Sequence, residues 1–403
     1  MKILIPNATG PDNMGDQAIL YGLLSCLNEA FPGHSLTILT SSPKKYSHDI
    51  AKKIDYNLYM WSVFESTNPL VRTWRVCSLV YLYFAQKFRI PFFRANKLQS
   101  ILNEYLEADL IVFVGGGYLR TNFGVSQSLN LIMHLVMFWF ASFSKAKQVV
   151  ASFSFGPFAY RWQERLSAWT VQDVDLLCVR EEVSQRMLAR YVGGKAELST
   201  DTALYLDPIP KKVSAQMHHP MIGFTIRQWG SKTQQSHLER AYLSALGGFA
   251  KKYNAHIQPI IQVDGLEFGE SDRQITGRMC MQLKKSKITI LPVVILKDLA
   301  GALNTYNSLD IILGMRMHSN ILAFVQDVPY VAISYEHKTE AISRALGLEK
   351  YFIKFDDVDA DSLLQVLCER YNNRASVAML TDKHALLLDM RSNFIHSLKQ
   401  FVR

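Results

Sequence analysis

Residues 310–323 read DIILGMRMHSNILA, an apolar run that ends in a glycine and leads into the start of a helix. A short continuous apolar run is typical of a strand that is buried on both faces of a parallel sheet. Arg316 and His318 then lie on a turn at the carboxyl end of that strand and at the positive end of the following helix dipole. Ligands of open parallel sheets collect at this edge. The segment therefore predicts an α/β fold with a ligand site at Arg316 and His318.

The same strand-and-turn pattern recurs on both sides of this segment. Arg227 closes an apolar run at 222–226, and Tyr335 and Lys338 follow another at 330–333. Two arginines, a lysine and a histidine at strand ends suit a small, highly charged anion, because the planar guanidinium fork matches carboxylate and phosphate oxygens. We therefore expect an anion site at this edge of the predicted sheet.

Apolar strands alternate with helical segments along the whole chain, which predicts two α/β domains with parallel sheets. The pattern is interrupted once, at 207–220, where proline and polar residues predict a linker. We expect an N-terminal Rossmann-like domain over 1–206, a C-terminal Rossmann-like domain over 221–374, and a cleft between the two. An amphipathic helix at 375–403 is expected to pack back on them.

Two glycine-containing segments follow predicted strands of the first domain. Asn13, Gly15 and Asp16 lie in the first turn, where Asp16 either caps the next helix or accepts a proton from a substrate hydroxyl. Gly116 and Gly117 belong to a run of three glycines after the strand at 110–114. Such a run allows close approach of a ligand, and close packing of domains would require the same residues.

The composition is that of a globular protein, with 49% hydrophobic and 20% charged residues among 403. Five scattered cysteines without a CxxC pair argue against a disulfide scaffold or a thiolate zinc site and suit a reducing compartment. The first residues lack the apolar core of a signal peptide, so we expect a cytoplasmic protein. The eleven histidines form no HExxH motif, and we expect no metal.

The net charge of +9 is concentrated in residues 66–163, which carry ten basic and only three acidic side chains. Within this patch, residues 72–97 interleave bases with aromatic rings, as surfaces that bind an anionic membrane do. A helix packed on its own domain with solvated bases, or an acceptor groove, would give the same composition. No nucleic-acid module is recognisable, so we expect no nucleic-acid partner. The apolar stretch at 129–143 is too short to span a bilayer and predicts a buried helix under a sheet.

A longer series of short motifs now identifies a known family. In order they are Asn13-x-Gly15-Asp16-x-Ala18-Ile19, Gly115-Gly116-Gly117, Arg180 with Ser184 and Leu188, Asp201-Thr202-Ala203, Arg227, Arg316-x-His318-x-x-Ile321-x-Ala323 and Tyr335-x-x-Lys338. With this order and spacing, the chain resembles the polysaccharide pyruvyl transferase family over about residues 1–371. The resemblance implies two Rossmann-like domains arranged as in GT-B glycosyltransferases. It also implies transfer of pyruvate from phosphoenolpyruvate to sugar hydroxyls of a lipid-linked or polymeric saccharide, giving a cyclic ketal, with no cofactor beyond that co-substrate.

The implied chemistry assigns roles to the strand-end residues. His318 would protonate the methylene carbon of phosphoenolpyruvate, because histidine exchanges protons near neutral pH. Arg316, Arg227 and Lys338 would hold the phosphate and carboxylate and stabilise the leaving phosphate.

Further roles are expected for residues elsewhere in the motifs. Arg180 would support the same anion from across the cleft or brace the first domain, and Asp16 would act as the base for the acceptor hydroxyl. The remaining motif residues expected to bind substrate are Asn13, Gly15, Gly116, Gly117 and Tyr335.

Two other functions fit the sequence. A nucleotide-sugar-dependent glycosyltransferase would use the same two-domain scaffold, and the cations of its second domain would bind a diphosphate equally well. A non-catalytic scaffold of a polysaccharide-assembly complex would bind neither donor. The three functions differ in the ligand that should stabilise the protein against heat. Phosphoenolpyruvate should stabilise a pyruvyl transferase, a nucleoside diphosphate should stabilise a glycosyltransferase, and neither should stabilise a scaffold.

Overall fold

The structure is a computed structural model, and it describes residues 1–9, 12–40, 52–54, 66, 68–88, 96–211, 219–265, 270–286, 288–374 and 377–402. Residues 212–218 of the predicted linker and residues 89–95 of the basic patch lie outside this set. The chain forms two compact units. The first comprises Met1–Gly10, Ile19–Thr202 and Met390–Arg403, and the second comprises Pro11–Ala18 and Ala203–Asp389.

The first unit contains a parallel sheet of eight strands. These are β1 (Lys2–Ala8), β2 (Ser35–Thr40), β3 (Lys52–Ile54), β4 (Leu110–Phe113), β5 (Gly116–Leu119), β6 (Lys147–Phe155), β7 (Leu176–Val179) and β8 (Ala196–Leu198). The strand order is β3-β2-β1-β4-β6-β7-β8, and β5 extends the pairing of β6. The order reverses direction between β1 and β4, as expected for a Rossmann-like sheet.

Helices connect these strands and form a large apolar core with them. They are α1 (Met14–Ala30), α2 (Pro69–Lys87), α3 (Asn96–Leu106), α4 (Val125–Ala141), α5 (Arg161–Val171) and α6 (Glu182–Val192). Helix α4 contains the apolar stretch that the sequence analysis placed under a sheet. That prediction is confirmed, because its Phe138 stacks on Phe113 of β4 with ring centroids 3.8 Å apart and both rings are buried. Among the described helices, none is both long enough and apolar enough to cross a membrane.

The second unit contains a parallel sheet of six strands and a small antiparallel pair. The six strands are β9 (Met221–Thr225), β10 (His256–Ile261), β13 (Val294–Ile295), β14 (Ile311–Gly314), β15 (Tyr330–Ser334) and β16 (Phe352–Lys354). The pair is β11 (Asp264–Gly265) and β12 (Glu270–Ser271). The order of the larger sheet is β13-β10-β9-β14-β15-β16, which has the 3-2-1-4-5-6 pattern of a dinucleotide-binding fold and reverses between β9 and β14.

Six helices lie between or after these strands, and a seventh ends the chain. They are α7 (Lys232–Tyr253), α8 (Arg273–Lys284), α9 (Leu299–Asn307), α10 (Met317–Val325), α11 (His337–Ala345), α12 (Ala360–Asn372) and α13 (Val377–Val402). The last turns of α13 belong to the first unit, where Arg391 donates hydrogen bonds to Ser25 (2.9 Å) and Glu29 (3.0 Å) of α1. The predicted C-terminal helix therefore packs back on the earlier part of the chain.

The turn before α1 and the first residues of α1 belong to a different unit from the one that the sequence predicted. Pro11–Ala18 was placed within a domain spanning 1–206, whereas the structure assigns it to the second unit. Backbone pairing explains this assignment. Asn13 forms an antiparallel bridge with Val263, and the Asp264 N–H donates to the Asp12 carbonyl at 3.1 Å. The turn before α1 is thus held to the second unit by backbone pairing with the segment that follows β10.

Candidate functional site

The predicted strand-end residues of the second unit meet at the point where its strand order reverses. Gly314 of β14 pairs with Thr225 of β9 on one side and with Ala332 of β15 on the other. Because the three strands are parallel and in this register, Arg227, Arg316 and Tyr335 emerge at the same carboxyl edge. In sheets of this topology, that crevice is where ligands bind.

Arg227 is held by two aromatic rings. Its guanidinium lies 4.8 Å from the centroid of the Tyr335 ring and 5.1 Å from that of Trp229, and its Nη1 donates to the Tyr335 hydroxyl at 3.0 Å. Stacking and a hydrogen bond fix the plane of the guanidinium, so the donor fork is oriented before any anion arrives. Arg227 and Tyr335 were predicted from the sequence, but Trp229 was not. Its position two residues after Arg227 was the sequence feature that could have indicated its role.

Arg316 makes a two-pronged ion pair with Asp272. Its Nη2 and Nε donate to the two carboxylate oxygens at 2.7 and 3.1 Å, and both residues are buried. Burial raises the pKa of the Asp272 carboxyl, and the charges of Arg316 and Arg227 act in the opposite direction. The partner orients Arg316 and offsets its charge. The sequence analysis missed Asp272, because a single aspartate before a helix carries no distinguishing pattern.

Lys338 is also buried, in the first turn of α11, and its Nζ lies 3.9 Å from a carboxylate oxygen of Glu336. The Glu336 carboxylate offsets part of the charge of this ammonium group. The three cations of the predicted anion site thus have three different supports: an aromatic cradle for Arg227, an ion pair for Arg316 and a neighbouring carboxylate for Lys338.

His318 lies in the first turn of α10, and Gly15 in the first turn of α1 packs directly on its ring. A Cβ atom placed on Gly15 would lie 2.7 Å from Cγ and 2.9 Å from Cε1 of His318, closer than real side chains allow. Only glycine fits at this position. The structure therefore brings the Asn13-x-Gly15-Asp16 motif and His318 together in one unit, although they are about 300 residues apart in the sequence.

Asn13, rather than Asp16, caps helix α1. The Asn13 side-chain oxygen accepts a hydrogen bond from the Gly15 N–H at 3.0 Å, and the helix begins at Met14. This corrects the interpretation in which Asp16 holds the helix start. Asp16 lies in the first turn, half-buried, where its negative charge interacts favourably with the helix dipole. Because Asn13 supplies the cap, Asp16 is not needed for capping, and its role as a base stays a prediction.

Arg180 lies in the first unit, within a buried polar network. Its Nη1 donates to Asp201 at 2.6 Å and its Nε donates to the Ser154 hydroxyl at 2.8 Å. The Glu181 carboxylate is 3.5 Å away. These contacts join β6 and β7 to the segment after β8, which is the bracing role considered for Arg180.

The glycine run of the first unit is part of the sheet. Gly116 and Gly117 begin strand β5, a strand that the sequence did not predict. A Cβ atom on Gly115 would lie 2.7 Å from the backbone oxygen of Ser152 in β6. Close approach of the neighbouring strand therefore accounts for the first glycine of the run.

Within the described part of the chain, no group of three histidine, cysteine, aspartate or glutamate residues is arranged to hold a metal ion. The chemistry available at the strand ends is that of oriented cations, one imidazole and the carboxylates that accompany them.

Comparisons with known proteins agree with this architecture. A family model described as polysaccharide pyruvyl transferase matches residues 13–337. The amylovoran biosynthesis protein AmsJ of Erwinia amylovora is 24% identical over 382 residues, with 86% of each chain covered.

Two solved structures show the same two-domain fold at low identity. The UDP-GlcNAc 2-epimerase of Methanocaldococcus jannaschii has a TM-score of 0.57 at 13% identity, covering 93% of this chain and 94% of the epimerase. A trehalose-6-phosphate synthase has a TM-score of 0.56 at 12% identity, covering 99% of both chains. The fold is thus that of GT-B glycosyltransferases and related epimerases, as expected from the sequence.

Proposed function

The chain belongs to the polysaccharide pyruvyl transferase family, and we propose from this premise that it moves pyruvate from phosphoenolpyruvate onto two hydroxyls of a saccharide. The similarity to a protein named for amylovoran biosynthesis supports a polysaccharide-building pathway as the setting. The observation that carries the donor assignment is the meeting of Arg227, Arg316 and His318 at the strand-order reversal of the second unit.

Phosphoenolpyruvate carries a phosphate and a carboxylate on the same carbon atom, C2, so its site needs several oriented cations. Arg227 offers a guanidinium whose plane is fixed by two rings, and Arg316 and Lys338 follow the next two strands at the same edge of the sheet. Arginine forks bind such oxygens in pairs. The Asp272 carboxylate would keep Arg316 in one orientation while the anion binds and leaves.

The reaction requires one proton at carbon and the loss of phosphate. His318 donates a proton to the methylene carbon, which becomes the methyl group, and the first sugar hydroxyl adds to the electron-poor C2 and loses its proton. Phosphate then leaves with the C2–O bond electrons, and the second hydroxyl adds at C2 to close the ketal ring. Of the two hydroxyl protons, one restores the imidazolium and the other leaves on phosphate. The strand-end cations stabilise the departing phosphate.

For the acceptor, we propose a lipid-linked or polymeric saccharide. Asp16 would take the proton from the attacking hydroxyl and pass it to His318 to restore the imidazolium, since the first turn of α1 packs beside His318 through Gly15. A carboxylate within reach of the acceptor and an imidazole within reach of the donor would form the usual acid–base pair.

Donor binding is tested with purified protein and phosphoenolpyruvate, UDP, GDP and inorganic phosphate, each assayed by the shift in melting temperature. We expect selective stabilisation by phosphoenolpyruvate, because a ligand that binds only the folded state raises its stability. Arg227→Gln should lose this shift. Arg344→Gln, which alters an exposed arginine of α11, is the matched control and should keep it. Arg227 is a better target than Arg316, whose removal leaves Asp272 charged and buried without its partner.

Stabilisation by UDP or GDP instead would favour the glycosyltransferase alternative, and stabilisation by none would favour a scaffold. The proton donor is tested separately by release of phosphate in the presence of saccharide acceptors. His318→Asn should keep the phosphoenolpyruvate shift and lower turnover about a hundredfold to ten-thousandfold, the usual contribution of a general acid. Turnover near that of the unaltered protein would remove His318 from the mechanism.

A further inference from the structure

Helix α2 presents a row of large apolar side chains to solvent. We define this α2 stripe as Leu70, Trp74, Tyr81, Phe84 and, at the C-cap, Phe88, all of which are exposed. At 100° per residue, the five positions lie within an arc of about 80° on the helix surface. Leu70 and Trp74 are the most open, at 79% and 73% exposure.

The opposite face of α2 already supplies its packing. Val76, Leu79, Leu82, Tyr83 and Ala85 are buried, and the Tyr83 ring lies 5.5 Å from that of Trp139 in α4. The side chains of the stripe are therefore not needed for packing the helix on the first unit. A continuous exposed apolar row of this length marks an interaction surface rather than scattered surface residues.

The charge around the stripe indicates what it contacts. Helix α2 contains Arg72, Arg75 and Lys87 and no acidic residue, and residues 66–163 carry ten basic against three acidic side chains. Lys87 lies beside the stripe, about 60° beyond its edge, whereas Arg72 and Arg75 lie about 140° to 160° from its centre, on the side of the helix that packs on the first unit. Long basic side chains beside an apolar face reach the headgroup layer while the apolar face enters the bilayer boundary.

We propose that α2 docks the protein on the surface of an anionic phospholipid bilayer, with the α2 stripe inserted at the level of the headgroups. Trp74 and Tyr81 place amphipathic rings at the depth where such rings concentrate. The Lys87 ammonium, which lies 5.7 Å from the centroid of the Tyr83 ring on the flank of the helix, would contact phosphate groups from there. The helix lies along the surface. Not every aromatic residue of the basic patch can contact lipid. Tyr83 is buried in the first unit and is therefore excluded from the docking surface.

The test is sedimentation of the purified full chain with vesicles, without any substrate, so its outcome does not depend on the proposed reaction. The vesicles are phosphatidylcholine alone or phosphatidylcholine with one third phosphatidylglycerol. We expect binding to the anionic vesicles, little to the neutral ones, and release at high salt, because the headgroup attraction is screened.

The double variant Trp74→Ser/Phe84→Ser should lower partitioning onto anionic vesicles about tenfold or more, since two large side chains no longer leave water. Trp169→Ser is the matched control, because this exposed tryptophan of α5 lies outside the stripe and should bind as the unaltered protein does. Lys87→Gln should weaken binding more than Lys251→Gln, an equal change of charge on an exposed lysine of α7.

Three results would overturn the proposal. The unaltered chain would fail to bind anionic vesicles, or the double variant would bind them equally well while retaining its melting temperature. Alternatively, light scattering would show that the unaltered chain is an oligomer and the double variant a monomer. The stripe would then be a contact between two copies of the chain.

Discussion

Gly15 occupies a position where any side chain would meet the ring of His318. A Cβ atom there would lie 2.7 Å from His318 Cγ, so Gly15→Ala must displace either the imidazole or the turn that carries Asp16. If His318 is the proton donor, a displacement of a few tenths of an ångström to one ångström lowers turnover about tenfold to a hundredfold. Steady-state release of phosphate from phosphoenolpyruvate measures this loss.

Gly277→Ala is the control for this substitution. Gly277 lies inside α8 with open space where its Cβ would be, so the change should leave turnover unaltered and slightly raise stability. Full turnover in Gly15→Ala would show that the turn and the ring do not need this contact.

For single residues, the sequence predicted the charged side chains of the site but not all of the residues that hold them in place. Arg227, Arg316 and Tyr335 were predicted to share one edge because parallel strands end together, and the register of β9, β14 and β15 confirms that they do. Asp272 and Trp229 were missed. Which carboxylate reaches Arg316 depends on the path of the chain between β10 and α8, and no periodicity encodes that path.

The packing of helix α13 can be tested with one buried and one exposed leucine. Leu398 is fully buried in the first unit, whereas Leu388 is 63% exposed. Leu398→Ala should lower the free energy of unfolding by about 3 kcal/mol, the sum of lost burial and the cavity left behind. Leu388→Ala on the same helix should change it by less than about 0.5 kcal/mol. Denaturant titration of both variants makes the comparison, and equal effects would contradict the packing of the helix end.

Elements with strong hydrophobic periodicity were the predictable ones. The sequence placed a buried helix at 129–143 and a C-terminal helix from 375, and α4 and α13 occupy these regions. Strand β5 was not predicted, because glycines rarely form strands by themselves. Pairing with β6 holds Gly116 in the sheet, and that tertiary contact leaves no local signal.

At the scale of the whole molecule, the sequence predicted two Rossmann-like domains but divided them at a single linker. The structure assigns Pro11–Ala18 to the second unit and Met390–Arg403 to the first, so each unit contains a segment from the other end of the chain. A linker search cannot detect such an exchange, because the backbone pairs that cause it, such as Asn13 with Val263, join distant positions. The exchange is also what brings Gly15 to His318.

The stability of the folded chain should fall in mild acid because of His134. This α4 side chain is buried beside Tyr118, and burial lowers its pKa to about 3. In the unfolded chain, the pKa of a histidine is about 6.5. Between these values the unfolded state binds the proton and the folded state does not, so stability decreases as the pH falls from 6.5 toward 3. From pH 7.5 to pH 5, this one group removes about 2 kcal/mol.

His134→Gln should remove that part of the acid sensitivity, and urea titrations at the two pH values measure it. The variant should lose about 2 kcal/mol less than the unaltered chain on going to pH 5, whatever its stability at pH 7.5. His396→Gln, at an exposed histidine of α13 in the same unit, should lose as much as the unaltered chain does. An unchanged acid loss in His134→Gln would mean that the ring takes up its proton in the folded state, and α4 would then have to open to water near pH 5.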